Sequence, residues 1–365
     1  KFMSTYYVGY GHPSIGDCGT TTLFFEGVSM LAAKAIQDWP LYSGQETSTR
    51  YIDMGSRAYI DPLNRPDIME EWLNFYRGGQ EEVAEHVRRQ YPLAAGATDK
   101  EKEVYERTVK ARTFDILRGW LPAGMTTQLS WSTNFRQAAD AIVWGINHPA
   151  AEIRGLFRGA HQVLLERFPD SFGHKRSAEQ EAWYETNAYD RFYPPTRASV
   201  PTQLSVRYQT DEFLMRRFAE ALASRPRGAK VPHFMDSAAT VDVEYSLDFG
   251  SYRDAQRHRY HLPLMPLLTA TKPDDFHPWY LEQLPSALLR KGIKLLTEQY
   301  ACIEELPNGK EFAAERQYYV PFGQMVPVRQ RFPLPAHIYM PELRAQKTVH
   351  PTYRQITHQM ATRFM

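Results

Sequence analysis

Two cysteines in 365 residues, Cys18 and Cys302, rule out a disulfide framework and a cysteine-only zinc site. No paired spacing of metal-ligand type occurs, so no metal is expected. The chain also lacks the Gly-rich loop of a P-loop or Rossmann unit, so any nucleotide is bound without those folds. No run of about 18 apolar residues is present, which argues against a membrane span. Charge is nearly balanced at a formal net of +1, so no global field points to nucleic acid or to a membrane surface. The chain opens on Lys1 with no signal-peptide pattern, and the expectation is a cytoplasmic protein trimmed at its front.

What is present is a split cluster of charged residues. Tyr42-Ser43-Gly44-Gln45-Glu46-Thr47-Ser48-Thr49-Arg50-Tyr51 offers hydroxyls, a carboxylate and a guanidinium, a set suited to a sugar and its phosphate. Far downstream, Arg253-Asp254-Ala255-Gln256-Arg257-His258-Arg259 ends in two cations around an imidazole, suited to a phosphate or an electron-rich ring. Each follows a strand-like and then a helix-like segment. Thr20–Glu26 reads as a buried strand and Val28–Trp39 as a helix; Thr240–Phe249 alternates as a half-exposed strand, and Tyr252–Arg259 continues as a helix.

A second pair of matches follows in the same order. Glu101–Leu121 is periodic and ends in Arg118-Gly119-Trp120-Leu121-Pro122, while Glu311–Pro321 ends in Arg316-Gln317-Tyr318-Tyr319-Val320-Pro321. The ordered matches predict a tandem duplication. Further helices are expected over Pro66–Gln90, Asn134–Phe168 and Asp211–Ala223. Asp170–Gln209 lacks a steady period and reads as a long connector, so the repeats are placed at 1–197 and 198–365.

Single residues carry weaker signals. His12, in Gly11-His12-Pro13-Ser14, has the ordinary reading of a structural turn histidine. Arg257-His258-Arg259 has the ordinary reading of a solvated basic face. Asn134-Phe135-Arg136 suits a ring edge or a pyrophosphate, with Thr133 or Asn134 as a helix N-cap the alternative.

Together these residues resemble the flavin-dependent thymidylate synthase family, which carries Arg-His-Arg followed at fixed spacing by a Ser, a Glu and an Arg-Tyr. That spacing puts the first half's Arg-His-Arg slot at Asp38-Trp39-Pro40. The first half therefore keeps Ser43, Glu46, Ser48, Arg50 and Tyr51 without the basic triplet. The second keeps Arg257, His258 and Arg259, and its Tyr260–Leu268 has lost the rest. The family's Gly-His turn resembles Gly11–Cys18, with Asp17 and Cys18 departing from it. Its Ala-Arg-x-x-Leu-Pro segment resembles Leu117–Pro122, and its Thr-x-Asn-x-Arg segment resembles Ser132–Arg136. Glu152-Ile153 and His148 match the first half, while the family's Leu-Arg, lost at Val143-Trp144, survives as Leu343-Arg344 before His350.

The resemblance implies an α+β fold in two tandem copies, helices on a mainly antiparallel sheet, forming a pseudo-dimer. It implies FAD, NADPH and 5,10-methylenetetrahydrofolate acting on dUMP to give dTMP, and a homodimer of duplicated chains mimicking a tetramer. It assigns catalytic roles to Arg257, His258, Arg259 and Ser48. Glu46, Ser48, Arg50, Arg118 and Arg344 would bind substrate. His12, Ser14, Asn134, Arg136, Arg257, His258, Arg259 and His350 would bind cofactor. One complete site per chain is expected, since the losses are complementary. The alternatives are flavin-dependent modification of another pyrimidine nucleotide, or an inactive nucleotide-binding scaffold.

Overall fold

The computed structural model describes residues 13–173, 176–195, 201, 203–269 and 272–364. His12 and the chosen boundary at 197/198 lie outside the described residues. Helices pack against two small antiparallel sheets.

The first half runs β1 (Thr20–Ser29), α1 (Met30–Gln37), α2 (Pro66–Gly78), α3 (Gln80–Gln90), α4 (Asp99–Leu117), β2 (Thr126–Asn134), α5 (Phe135–Gly145) and α6 (Ala151–Arg167). After it come α7 (Pro169–Phe172) and α8 (Ala178–Phe192), so the expected structureless connector contains a 15-residue helix. A capping box of Ser177 and Gln180 starts that helix, a local signal that outweighs its irregular apolar spacing. The second half runs β3 (Ser205–Thr210), α9 (Glu212–Ala223), β4 (Ala239–Asp248), α10 (Phe249–Gln256), β5 (Leu262–Leu264), α11 (Pro278–Glu282), α12 (Ser286–Glu304), α13 (Ala313–Arg316), β6 (Met325–Pro333), α14 (Leu334–Arg344) and α15 (Pro351–Phe364).

The halves match element for element at their centres. β1 and β4 are 10 residues each, α1 and α10 are 8, and α4 and α12 are 19. Short 3₁₀ turns at Arg118–Trp120 and Gln317–Tyr319 then lead to β2 and β6, of 9 residues, and to α5 and α14, of 11. The partner of α4 is thus α12, and not the Glu311–Pro321 segment expected from the spacing to proline. Residues 305–312 separate α12 from its 3₁₀ turn, whereas α4 runs straight into its own. The helical stretches expected over 66–90 and 134–168 are each two helices, the first pair meeting at Gly79, where a Cβ would meet Leu117, Leu288 and the Phe75 carbonyl.

β1 pairs with β2, with a bulge at Gly27, whose φ of 65° suits glycine. β4 pairs with β6 inside the order β3-β4-β6-β5. Ser43 and Glu46 bridge to Ser132 and Leu129 on the outer edge of β2, as Leu262 pairs with Arg331 on the outer edge of β6. The charged loop after Ser43 therefore leaves an edge-strand position, which fixes where it points.

The two 3₁₀ turns meet back to back. Ala123 N–H donates to Val320 O and Phe322 N–H to Leu121 O; Gly124 N–H donates to Tyr318 O and Gly323 N–H to Gly119 O. These pairs exchange under a two-fold axis running between Pro122 and Pro321, which form an isolated bridge. Gly124 permits the approach: a Cβ there would lie 2.6 Å from the Ile60 carbonyl and 3.0 Å from that of Tyr318. One hydrophobic cluster, from Phe25 to Met360, includes both halves, with Trp120 packed on Phe75 and Phe276. Burial of this shared core, worth about 25 cal/mol per Å² of apolar area, holds the halves together.

Candidate active site

A cavity of about 290 Å³ lies between the halves. The first half contributes Ser48, Arg50 and Tyr51 from the edge loop and Arg118 from the 3₁₀ turn. The second contributes Arg253, Asp254 and Arg257 from the end of α10, and Arg344 from the end of α14. Ser48, Arg50, Arg118, Arg257 and Arg344, expected to share one site across the repeats, line this one cavity. The C-terminal ends of α10 and α14 converge on it, so their cations also complement the helix dipoles.

Most of these cations are already matched by an acid. Arg50 holds Asp115 through two hydrogen bonds, Nε to Oδ1 at 2.6 Å and Nη2 to Oδ2 at 2.7 Å, and its Nη1 reaches the Thr348 carbonyl across the interface. Arg118 is 2% exposed, donates to Ser251 Oγ at 2.7 Å and lies 3.9 Å from the Asp248 carboxylate. Burial opposes its charge, but the Tyr280 oxygen and the Asp248, Asp254 and Asp115 carboxylates outweigh it and raise the pKa. The Arg118 Nε has no protein partner. Arg253 pairs with Glu46, and Arg257 with Asp254 at 3.3 Å. Burial raises the Asp254 pKa, yet Arg257, Arg118, Arg344 and Arg50 prevail and lower it, so this carboxyl stays ionised.

Arg344 differs. Its Nε donates to His258 Nε2 at 2.8 Å and its Nη2 to the Asp254 carbonyl at 3.2 Å. Burial, then the Arg344 charge, push the His258 pKa down to about 3, so the ring is neutral and leaves the guanidinium uncompensated. Five arginines face Glu46, Asp115, Asp248 and Asp254, an excess of one positive charge.

Other expected residues lie elsewhere. Glu46 is held by Gln37 at 2.7 Å and by Arg253, behind the cavity wall. Arg259 crosses to the first half, its guanidinium 4.6 Å from the Tyr42 ring centre and bonded to the Gln256 carbonyl. His350 is fully buried beneath the cavity, bonded to Thr352 and Asp115 O, and its pKa is lowered well below the usual value by burial and then by Arg118. Asn134 caps α5 through Gln137 N, as its N-cap reading allows. Asn134 and Arg136 both bond Asp17, on the exposed side of the first half near Ser14, and line neither this cavity nor its neighbour.

That neighbour, of about 440 Å³, shares Arg257, Leu343 and Arg344 with the first and adds His258, Tyr260 and Tyr339. At the two-fold-related position in the other half, Gln317 replaces Arg118. Its amide is occupied by the Tyr193 hydroxyl and Leu268 N–H, and His148 packs on Phe192 at 4.2 Å. Residues from the end of α8 thus fill the space that the arginines keep open on the other side.

Sequence reasoning missed Asp115, Asp248 and Asp254 as partners of the site. Asp115 stands one helical turn before Arg118, and i,i+3 spacing on α4 was the available signal. The neutral histidines set a pH dependence. His148, His258, His261, His277, His337 and His350 all have lowered pKa values, in each case chiefly through burial. The unfolded chain takes up these protons below its ordinary pKa near 6.5 and the folded one does not, so stability falls as pH drops through that value. Each histidine kept neutral removes about 1.4 kcal/mol between pH 7.5 and 5.5. Urea midpoints at the two pH values should therefore differ by several-fold more than one histidine accounts for. Equal midpoints would exclude the neutral assignments.

Residues 2–170 match the model of the family described as thymidylate synthase complementing protein. A UPF0159 protein of Chlamydia muridarum is 25% identical over 411 aligned residues, covering 96% of this chain and 76% of that protein. A UPF0159 protein of Thermoplasma acidophilum is 22% identical, covering 98% of this chain and 85% of its own length. These relatives match both halves, including the half that the family model does not reach.

Proposed function

We propose, for a chain whose residues 2–170 match the model of the thymidylate synthase complementing protein family, a flavin-dependent transfer of a one-carbon unit from methylenetetrahydrofolate to C5 of dUMP, giving dTMP with NADPH as reductant. The observation that carries this reading is the cavity itself, which joins Arg50 and Arg118 of one half to Arg257 and Arg344 of the other. We read the matched element lengths and the two-fold pairing at Pro122 and Pro321 as a tandem duplication forming a pseudo-dimer.

Residue roles follow from the donors present. Arg344, the uncompensated cation, and Arg50 hold the phosphate, where a guanidinium fork suits two oxygens. Ser48 lines the same cavity and offers its hydroxyl to the phosphate or ribose. The unpartnered Arg118 Nε–H is a donor for a carbonyl of the base. The adjoining cavity has aromatic and cationic walls, and its Arg257, His258, Tyr260 and Tyr339 fit the ring end of a flavin. Bound there, the flavin would supply the hydride and one-carbon chemistry. Arg257 would stabilise negative charge beside both cavities, and neutral His258, accepting from Arg344, keeps a proton on Nδ1. Asn134 and Arg136 would serve a cofactor from a second chain, in a homodimer equivalent to four repeats.

The purified protein should be yellow, its flavin absorbance perturbed by dUMP, and it should release tritium from C5-labelled dUMP when methylenetetrahydrofolate and NADPH are added. A colourless protein that takes up no FAD would sink the proposal. Flavin uptake without tritium release would move the reading to another pyrimidine nucleotide.

A further inference from the structure

A relay of buried polar groups runs beneath the arginine cavity, and its hydrogen-bond direction is fixed at both ends. It starts at Arg118, which can only donate, and whose Nη2 donates to Ser251 Oγ at 2.7 Å. It stops at the Asp115 carbonyl, which can only accept, 3.2 Å from His350 Nε2. His350 therefore carries a proton on Nε2. Burial, then the Arg118 charge, keep its ring neutral, so Nδ1 is an acceptor. Thr352 Oγ1–H donates to that Nδ1 at 2.8 Å, which leaves Thr352 Oγ1 to accept from the Ser251 hydroxyl at 2.8 Å. Ser251 Oγ also lies 3.3 Å from His350 Nδ1, so the direction is the same where Thr352 is bypassed. Trp279 and Tyr280 pack on the imidazole, at 4.8 and 5.6 Å between ring centres. Ser251, Thr352 and His350 are at most 1% exposed, so they act on the cavity only through Arg118.

The other half shows that packing alone does not call for these hydroxyls. Gln317 begins the 3₁₀ turn where Arg118 stands. Ala32 stands where Ser251 does: its N–H donates to the Ser29 cap as that of Ser251 donates to the Asp248 cap. Ala150 stands where Thr352 does, following a His-Pro pair, and there the Ala150 N–H donates to His148 Nδ1 at 3.0 Å. Both alanines are buried. The two hydroxyls occur where the arginine occurs and are missing where it is missing.

We infer that Ser251 and Thr352, anchored on His350, are positioning residues for recognition of the base. They hold the Arg118 guanidinium by Nη2 and so keep its unpartnered Nε–H for a carbonyl of the pyrimidine. The inference rests on the proposed binding of dUMP and adds which groups set the base contact. Arg50 is bonded to the Asp115 side chain and Arg344 to His258, outside the relay, so the phosphate contact is independent of it.

Calorimetric titration of the purified protein with dUMP and, separately, with 2-deoxyribose 5-phosphate, which has the sugar and phosphate without the base, tests it. Ser251→Ala takes the acceptor from Arg118 and should weaken dUMP binding about tenfold or more, as expected for a lost hydrogen bond to a charged group. Thr352→Ala should weaken it about threefold, because Ser251 still reaches Nδ1, and Thr352→Ser should restore it. Ser251→Ala with Thr352→Ala should be no weaker than Ser251→Ala alone, since members of one relay do not add. Sugar-phosphate binding should match the wild type in every variant, which also shows them folded. Unchanged dUMP binding in Ser251→Ala, equal weakening of both ligands, or additive losses in the double variant overturn the inference and leave the dUMP reading intact. A wild-type protein that does not bind dUMP overturns that reading and the inference together.

Discussion

If the proposed reaction is correct, Arg50→Ala and Arg257→Ala should each lower dUMP turnover by at least about 30-fold, and mixing the two weakened proteins should not restore it. The residues lie far apart in sequence and in different halves, yet both line one cavity within one chain. Removing either leaves every copy of the cavity incomplete, and exchange of whole chains cannot rebuild it. The magnitude comes from truncating one partner of a desolvated charged contact, about 2–5 kcal/mol, which is roughly 30- to 5,000-fold in kcat/KM. The two variants separate in stability. Arg257 has a side chain 41% exposed and Arg118, Arg344 and Arg50 remain beside its partner Asp254, so its loss should lower the melting temperature less than the loss of Arg50. Arg50 holds Asp115, whose side chain is 10% exposed, and its loss strands that carboxylate. Arg50→Lys keeps the charge without the two-pronged geometry and should recover stability more than turnover. Steady-state kinetics on the singles and on an equimolar mixture decide the matter; recovered activity in the mixture would place the site between chains.

How much of this was legible in the sequence depended on whether a signal was local. The Arg-His-Arg run, the Ser-x-x-Glu-x-Ser-x-Arg loop and Arg118 before its proline were readable because each is short and charged, and the structure brings Ser48, Arg50, Arg118 and Arg257 together. Glu46 was legible as a charged loop residue, but its partner Arg253 was not, because that pair forms only when α1 and α10 pack across the interface. The α12 helix has no such landmark, because 305–312 separate it from the turn before Pro321. Aperiodic apolar spacing hid α8, although its capping residues were there to be read. Asn134 shows the limit of motif reading. The same side chain that resembles a cofactor ligand caps α5, and only the structure shows the distance between that cap and the arginine cavity.

The second large effect concerns the buried charges beneath the site. Asp248 is fully buried and caps α10 through Ser251 N at 2.9 Å, while Tyr280 donates to the same oxygen at 2.8 Å. Arg118, 3.9 Å away, is its nearest cation. Arg118→Gln leaves that carboxylate with hydrogen bonds but no counter-charge, and should cost about 3–5 kcal/mol. The equivalent place in the other half lacks both charges of this pair and holds instead the Glu152 carboxylate, which accepts from Ser29 and Tyr318. There Ser29 is the N-cap where Asp248 stands, and Gln317 begins the 3₁₀ turn where Arg118 stands. Both charges are absent together, and the surrounding polar groups, Glu152 and Tyr318 on one side and Tyr193 on the other, satisfy what remains. Arg118→Gln combined with Asp248→Ser removes both charges together, so its cost should be well below the sum of the two single changes, a coupling of about 1–3 kcal/mol. Urea denaturation of the four proteins measures this directly, and strict additivity would show that the pair does not interact. The double variant should fold and still fail to bind dUMP, because the Arg118 donor is gone from the cavity. That outcome would separate the charge pair's structural contribution from its contribution to the site.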